Sequence, residues 1–190
     1  MKSLGVLLVS ASSCISGYGV LRLIGLSDGR YGPGIDWQTA HLAGLTGMVL
    51  FVPVVLELGQ LLPRGGWRTG GVAVTLIGLA ASIVQFGADI AFGALAADKA
   101  EMSRLSHQFK EIPGVEFLVY AGAPPLFFLG MVALTVLLTR AGLLRWWSPA
   151  VMLVSGLLPL LTLDLLPVTG LGMLAALAPL IAPTRLARTR

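Results

Sequence analysis

Residues 39–62, TAHLAGLTGMVLFVPVVLELGQLL, decide the fold class of this chain. The stretch carries a single charged residue, Glu57, and its apolar positions do not alternate with polar ones. A strand of a membrane barrel would alternate over about 10 residues, whereas a helix needs about 20 mostly apolar residues to cross the hydrocarbon core of a bilayer. The stretch therefore predicts a transmembrane α-helix.

Five further stretches of the same kind flank it. The six predicted spans cover residues 4–26, 39–62, 71–96, 117–139, 148–166 and 168–183. Together they use most of the 190 residues and leave no room for a separate soluble domain. We therefore expect an all-α, polytopic membrane protein in which residues 1–190 form one six-transmembrane-helix bundle. Pro124 and Pro125 have no amide N–H to donate, so the pair predicts a strong bend in the fourth span.

The composition excludes several classes of protein. Hydrophobic residues make up 56% of the chain and charged residues 12%, whereas a soluble domain carries about 25% charged residues. The 13 basic and 9 acidic side chains leave a net charge of only +4, so a nucleic-acid-binding domain is excluded together with the soluble enzymes. The lipid bilayer is the expected partner.

The basic residues predict the orientation in the membrane. The segments on the side of both termini contain no acid and hold these residues: Lys2, Arg64, Arg68, Arg140, Arg145, Arg185, Arg188 and Arg190. The opposite loops mix both signs: Arg30, Lys99, Arg104 and Lys110 with Asp28, Asp36, Asp98, Glu101 and Glu111. Because cytoplasmic loops are enriched in Lys and Arg, we expect a multi-pass plasma-membrane protein with both termini in the cytoplasm.

The segment between the third and fourth spans, residues 99–112, has a different pattern. Its apolar residues recur every three or four positions, at Met102, Leu105, Phe109 and Ile112. This spacing predicts a short amphipathic helix that lies on the outer membrane surface. The helix is either an ordinary connector or a lid over a pocket between the spans.

Three carboxyl groups lie within the predicted spans, and we take them as candidate catalytic acids: Glu57, Asp89 and Asp164. An ionisable group in a transmembrane helix costs about 2.5–3.5 kcal/mol on insertion, so such groups usually have a function. Each has a structural alternative. Asp89 could hold helices together, Asp164 could cap a helix or reach water, and Glu57 could extend to the membrane surface.

Further polar and aromatic residues fall at the outer level of the bundle, around Asp89. Gln85 lies on the same helix face at i, i+4, and Phe86 and Phe92 flank Asp89 three residues to either side. An acid beside aromatic rings in a dry site can act as a proton donor. The predicted substrate-binding residues are Tyr18, Arg22, His41, Gln85, Phe86, Phe92, Glu116, Tyr120 and Phe127.

No metal and no cofactor is expected. Cys14 is the single cysteine, and His41 and His107, the two histidines, lie on different segments. The sequence contains no Gly-rich phosphate loop, no HExxH and no GxSxG motif.

Two resemblances extend this interpretation. Through Leu129-Gly130 and residues 140–146 (RAGLLRW), the last three spans resemble a broad group of uncharacterised actinobacterial multi-helix membrane proteins, which implies a six-helix bundle and no particular activity. A lone Glu57 in the second span and Asp164 late in a small all-helical chain resemble the integral-membrane terpene cyclases of meroterpenoid and indole-terpenoid pathways. That resemblance implies that these carboxylic acids protonate an epoxide or alkene. Fungal members have seven helices, one more than is predicted here.

Three functions are therefore open. The first is an intramembrane enzyme of the isomerase or lyase type that cyclises a lipophilic, isoprenoid-type substrate by acid initiation. The second is a transporter or channel component, or a substrate-binding subunit, that uses its buried acids to bind a cation or relay protons. The third is a structural accessory subunit of a membrane complex. The oligomeric state is left open.

Overall fold

The structure is a computed structural model that describes residues 2–27, 29 and 31–181. Within these ranges it contains no strand and seven α-helices: α1 (Lys2–Leu26), α2 (Ile35–Gln60), α3 (Gly66–Leu95), α4 (Lys99–Lys110), α5 (Pro124–Arg140), α6 (Ser148–Leu161) and α7 (Leu166–Leu177). A π-helical turn at Glu116–Ala121 precedes α5, and 3₁₀ turns at Leu163–Leu165 and Ala178–Leu180 flank α7. The predicted all-α class is confirmed for the described residues.

Some of the predicted features fall on residues that the structure does not describe. Asp28, Arg30, Arg185, Arg188 and Arg190 lie outside the described residues, as do the last two residues of the predicted span 168–183. The side chain of Lys2 also lies outside them.

In the part of the chain that the structure describes, five segments are long and apolar enough to cross a membrane: Ser3–Leu26, Ile35–Gln60, Gly66–Leu95, Glu116–Arg140 and Leu163–Leu180. Helix α6 is apolar but has 14 residues. At 1.5 Å per residue it is about 21 Å long, shorter than the hydrocarbon core of about 30 Å. It ends at Leu161, earlier than predicted, because Thr162 is extended and opens the 3₁₀ turn that follows.

Six of the helices form a closed ring. Neighbours pack in the order α1, α2, α3, α5, α6 and α7, and α7 returns to α1. A Cβ added to Gly5 would lie 3.3 Å from Cγ2 of Ile181, so the two described ends of the chain meet at one end of the bundle. We call this the terminal end, and the opposite end, which carries α4, the α4 end.

The core of the bundle is mainly apolar, with a few buried Ser and Thr side chains and His41 among the apolar residues. The rings of Phe51 on α2 and Phe127 on α5 meet across the ring of helices, with their centres 5.2 Å apart. The largest fully buried side chains are Phe51, Phe127, Leu8, Ile15, Leu58, Leu79, Met131, Leu134, Leu138, Met152, Met173 and Leu177. Burial of these side chains supplies the packing that holds the helices together.

The predicted fourth span is not one α-helix. Its first part is the π-helical turn Glu116–Ala121, in which the N–H of Gly122 donates to the carbonyl of Phe117 at 2.6 Å. Helix α5 then starts at Pro124. The N–H groups of the first turn of a helix have no acceptor within the helix, so two prolines at this position remove no hydrogen bond from it. The interruption lies at the position of the predicted bend, and Tyr120 lies within it. A π-turn of this kind is common at functional sites.

Gly142 ends α5 and directs the chain toward α6. Its φ of +74° lies in the left-handed region, where a Cβ is unfavourable. The N–H of Leu143 donates to Leu138 at 2.9 Å, and that of Gly142 donates to Thr139 at 3.0 Å. These are the two bonds of a Schellman motif, which satisfies the last carbonyls of the helix.

Candidate functional site

Asp89 lies at the α4 end of α3, half-buried between α2, α4 and the π-helical turn. The hydroxyl of Tyr120 donates a hydrogen bond to Asp89 Oδ1 at 3.2 Å. Nζ of Lys110 lies 4.5 Å above the centre of the Tyr120 ring, in a cation–π contact. Helix α3, the π-turn and helix α4 therefore meet at one carboxyl group.

A cavity of about 340 Å³ opens beside this carboxyl group. The walls away from α4 are formed by Leu26, Tyr31, Trp37, Asp89 and Phe92, and the α4 wall by Lys99, Met102, Ser103, Ser106, His107 and Lys110. Asp89 is the one carboxyl group among these lining residues. The cavity therefore combines an acid, two lysines and aromatic rings, and we call it the outer pocket.

Helix α4 has a local reason to begin where it does. Asp98 caps it by accepting a hydrogen bond from the N–H of Glu101 at 2.8 Å, and the Glu101 side chain accepts one from the N–H of Ala97 at 2.9 Å. This reciprocal arrangement is close to a capping box. It holds the first turn of α4 so that Lys99 and Met102 lie on the outer pocket.

Tyr31 places a buried hydroxyl at the outer pocket. Its side chain is 8% exposed, and its hydroxyl has no hydrogen-bond partner among the described residues. Burial raises the pKa of Tyr31 to about 12, so the group is neutral and able to donate at physiological pH. A buried hydroxyl that no other group meets costs free energy.

His41 stands behind the pocket wall and not in the pocket. It is 3% exposed and stacks on Trp37 with the ring centres 3.9 Å apart. Its Nδ1 lies 2.9 Å from the carbonyl of Trp37, which can only accept, so Nδ1 carries the hydrogen. Tyr18 and Phe86 meet the imidazole edge-on at 5.4 and 5.8 Å. His41 thus supports the two wall residues Tyr31 and Trp37.

Two side chains of α2 form hydrogen bonds with the backbone of α3 at the level of Asp89. The indole N–H of Trp37 donates to the carbonyl of Asp89 at 3.1 Å, and the amide of Gln38 donates to Ile90 at 3.0 Å. Gly93 leaves the space for them, because a Cβ there would lie 2.6 Å from the Trp37 ring. The backbone that carries Asp89 is thereby held in position.

Asp164 has a different environment. It pairs with Arg22 at 2.6 Å, and its side chain is 55% exposed, against 19% for Arg22. The pair joins α1 to the turn between α6 and α7. Neither residue lines the outer pocket.

The contribution of this ion pair to stability is expected to be small. A double-mutant cycle of Arg22→Gln and Asp164→Asn, measured by urea unfolding in detergent micelles, should give a coupling of at most about 1 kcal/mol because Asp164 is solvated. A coupling above about 2 kcal/mol would contradict this, and would show a pair that is desolvated in the bundle.

Glu57 lies at the terminal end, where Ser3 donates to its Oε1 at 3.4 Å. Twenty residues of α2 separate it from Trp37, which is about 30 Å along the helix. Glu57 and Asp89 therefore do not share a site.

Of the remaining predicted substrate-binding residues, some line the outer pocket and others do not. Phe92 lines the outer pocket, and its ring meets that of Phe109 at 5.6 Å. Gln85 is half-buried one turn deeper, and Glu116 is exposed on the π-turn. Phe127 is 1% exposed in the core, packed on Phe51, and is not part of the pocket.

Sequence reasoning missed several lining residues. Tyr31 lies within the Gly-rich stretch of residues 27–34, and Trp37 follows three residues after it. Two aromatic residues at this position were a signal for them. Lys110 was assigned to the mixed-charge loops but not to a site. Its contact with Tyr120 depends on the tertiary structure.

The chain was compared with protein-family models, curated proteins and solved structures. No family model, no curated protein and no solved structure matches it.

Proposed function

We propose that this protein is an intramembrane enzyme that isomerises a lipophilic, isoprenoid-type substrate, with Asp89 as the proton-donating carboxyl group. The observation that carries the proposal is the position of Asp89. Of the carboxyl groups that the structure describes, it is the one that lines the outer pocket, and the hydroxyl of Tyr120 donates a hydrogen bond to it. The two other predicted acids fit less well, because Glu57 lies at the opposite end and Asp164 is paired with Arg22.

In the proposed reaction, one carboxyl group both donates the first proton and accepts the last one. Protonated Asp89 gives its proton to an alkene carbon of the substrate, and the electron pair of that double bond forms the new C–H bond. A second double bond attacks the resulting cation and closes a ring. A neighbouring carbon then loses a proton to the Asp89 carboxylate, which restores the acid and leaves a cyclic isomer of the substrate.

The rings around Asp89 suit a cationic intermediate. Phe92, Trp37 and Tyr31 line the pocket, and ring faces stabilise a cation by about 0.5–2 kcal/mol each. The two lysines that line the pocket, Lys99 and Lys110, would hold a polar end of the substrate, such as an alcohol or a phosphate. The hydrocarbon part would then extend between the helices or into lipid.

The finer arrangement in the membrane belongs to the same proposal. Gly5 lies close to Ile181, so the two described ends of the chain lie at the same end of the bundle. An even number of crossings has this result, which supports six crossings, of which α6 is a short one. The acid-free basic segments at the terminal end support a cytoplasmic location for that end in the plasma membrane. Helix α4 would then lie on the outer surface and act as a lid, since six of its residues line the pocket.

The test uses the full chain in phosphatidylcholine vesicles, with farnesol and geranylgeraniol as probes in D₂O. The expected product is a cyclic isomer of the probe in which one carbon-bound hydrogen is replaced by deuterium, because the Asp89 proton exchanges with solvent before it is transferred. Mass spectrometry after extraction detects this change. If neither probe reacts and protons cross the membrane of tight vesicles, the result would contradict the proposed enzymatic function and favour that of a transporter.

A further inference from the structure

A second cavity lies on the outside of the bundle, far from the outer pocket. It is a groove of about 520 Å³ between α3 and α5, toward the terminal end. Its floor is made of small residues on both helices, Gly70, Gly71, Gly130 and Ala133. Val74, Leu129, Val136 and Leu137 form the sides, so nearly the whole surface is apolar.

The length of this groove matches one leaflet of a bilayer. Along α5 it runs from Leu129 to Arg140, and these eleven helical steps rise about 17 Å. Half of a hydrocarbon core of about 30 Å is about 15 Å. The groove closes at the level where Gly78 packs directly against the backbone of Phe127. A chain in the groove would therefore extend through one leaflet and stop at the middle of the bundle.

The open end of the groove is strongly basic. A cavity of about 350 Å³ adjoins it, shares Trp67, Leu137 and Arg140 with it, and adds Arg64 and Arg68. Residues 61–71 and 137–149 contain no acid. Among the described residues, the ion pairs are Arg22 with Asp164 and Arg104 with Glu101, so these three arginines have no carboxylate partner there.

We propose that this groove binds an anionic phospholipid, with one acyl chain between α3 and α5 and the headgroup phosphate on Arg64, Arg68 and Arg140. Guanidinium groups bind phosphate oxygens through paired hydrogen bonds, and an apolar groove that ends at such a cluster is complementary to a phospholipid in both shape and charge. Trp67 is 85% exposed at the junction of the two cavities, where the glycerol region of the lipid would lie.

Trp67 also provides the measurement. The full chain is reconstituted in phosphatidylcholine vesicles that contain a small fraction of brominated phosphatidylglycerol or, in parallel, brominated phosphatidylcholine. Bromine quenches a nearby indole, and the signal of Trp67 is the difference between the chain and its Trp67→Phe variant. We expect brominated phosphatidylglycerol to bind at least about tenfold more tightly than brominated phosphatidylcholine, since each basic side chain favours an anionic lipid by about fivefold.

Three variants separate the groove from general charge attraction. The triple variant Arg64→Gln, Arg68→Gln, Arg140→Gln should lose the preference. Arg145→Gln, an exposed arginine on the same side that does not line the groove, should keep it. Gly70→Leu should abolish quenching by phosphatidylglycerol although every arginine is retained. No heavy atom lies within 4 Å of the added Cβ, so the leucine fills the groove without straining the fold.

Each opposite result overturns the proposal. Equal quenching by both lipids, or an unchanged preference in the triple variant, would mean that the arginines do not select a headgroup. Unchanged quenching in Gly70→Leu would mean that the lipid binds elsewhere. Quenching by neither lipid would mean that protein, such as a second copy of this chain, covers the groove.

Discussion

Asp89→Asn is expected to lower the rate of the deuterium-labelled isomerisation by about 10²–10⁴-fold, the range in which a positioned acid contributes to catalysis. An amide keeps the size and shape of the carboxyl group and can still accept the hydrogen bond of Tyr120, so the bundle should fold normally. The amide has no acidic proton to give to an alkene. The rate is measured on farnesol or geranylgeraniol with the variant in the same vesicles.

The matched controls are the two other predicted acids. Glu57→Gln and Asp164→Asn should retain activity within about threefold, because neither carboxyl group reaches the outer pocket. If Asp89→Asn remained fully active, or if Glu57→Gln removed the activity, Asp89 would not be the acid. The second outcome would move the site to the terminal end and strengthen the resemblance to the terpene cyclases.

Gly78→Val is expected to destabilise the bundle strongly. The place of its Cβ is already occupied by the backbone of Phe127, whose Cα would lie 2.7 Å away. Backbone atoms in the middle of two packed helices cannot move aside as the end of a side chain can. The cost should therefore reach about 3 kcal/mol or more, the upper part of the range for overpacked cores. The separation of α3 from α5 would also open the ring at its centre.

Gly87→Val on the same helix is the control for this prediction. It lies nine residues further along, about two and a half turns, and so on the opposite face. No heavy atom lies within 4 Å of a Cβ there. Its free energy of unfolding, obtained from urea titration in detergent, should change by no more than about 1 kcal/mol in either direction. Equal midpoints for the two variants would show that α3 and α5 do not pack as closely as described.

Helix positions were predictable because they depend on composition over a local window. Residues 39–62 contain one charge, and the structure has helix α2 from Ile35 to Gln60. The short helix over 99–112 appears as α4, since its spacing and its Asp98 cap are local features. Helix ends were less accurate. The end of α6 depends on the extended Thr162 and the π-turn depends on Pro124, and both are geometries that hydrophobicity does not report.

The site was predictable only in part. The interpretation of an outer polar level placed Asp89, Phe92 and Tyr120 near one another, because residues at equal depth on neighbouring helices can meet. Depth alone does not give the rotation of a helix about its axis. For that reason Phe127 was grouped with the pocket although it faces the core, and Tyr31 and Trp37 were omitted.

The sequence by itself determined that the surroundings of this protein are lipid and not water. With 12% charged residues and long uninterrupted apolar segments, only a lipid-embedded helical bundle can satisfy both the side chains and the backbone. The tertiary structure alone decided which of three carboxyl groups faces a cavity, which is paired with an arginine, and which lies at the opposite end of the bundle from that cavity. The reason is physical. Hydrophobicity acts on each segment separately, whereas a site depends on how helices far apart in sequence are rotated and packed against each other.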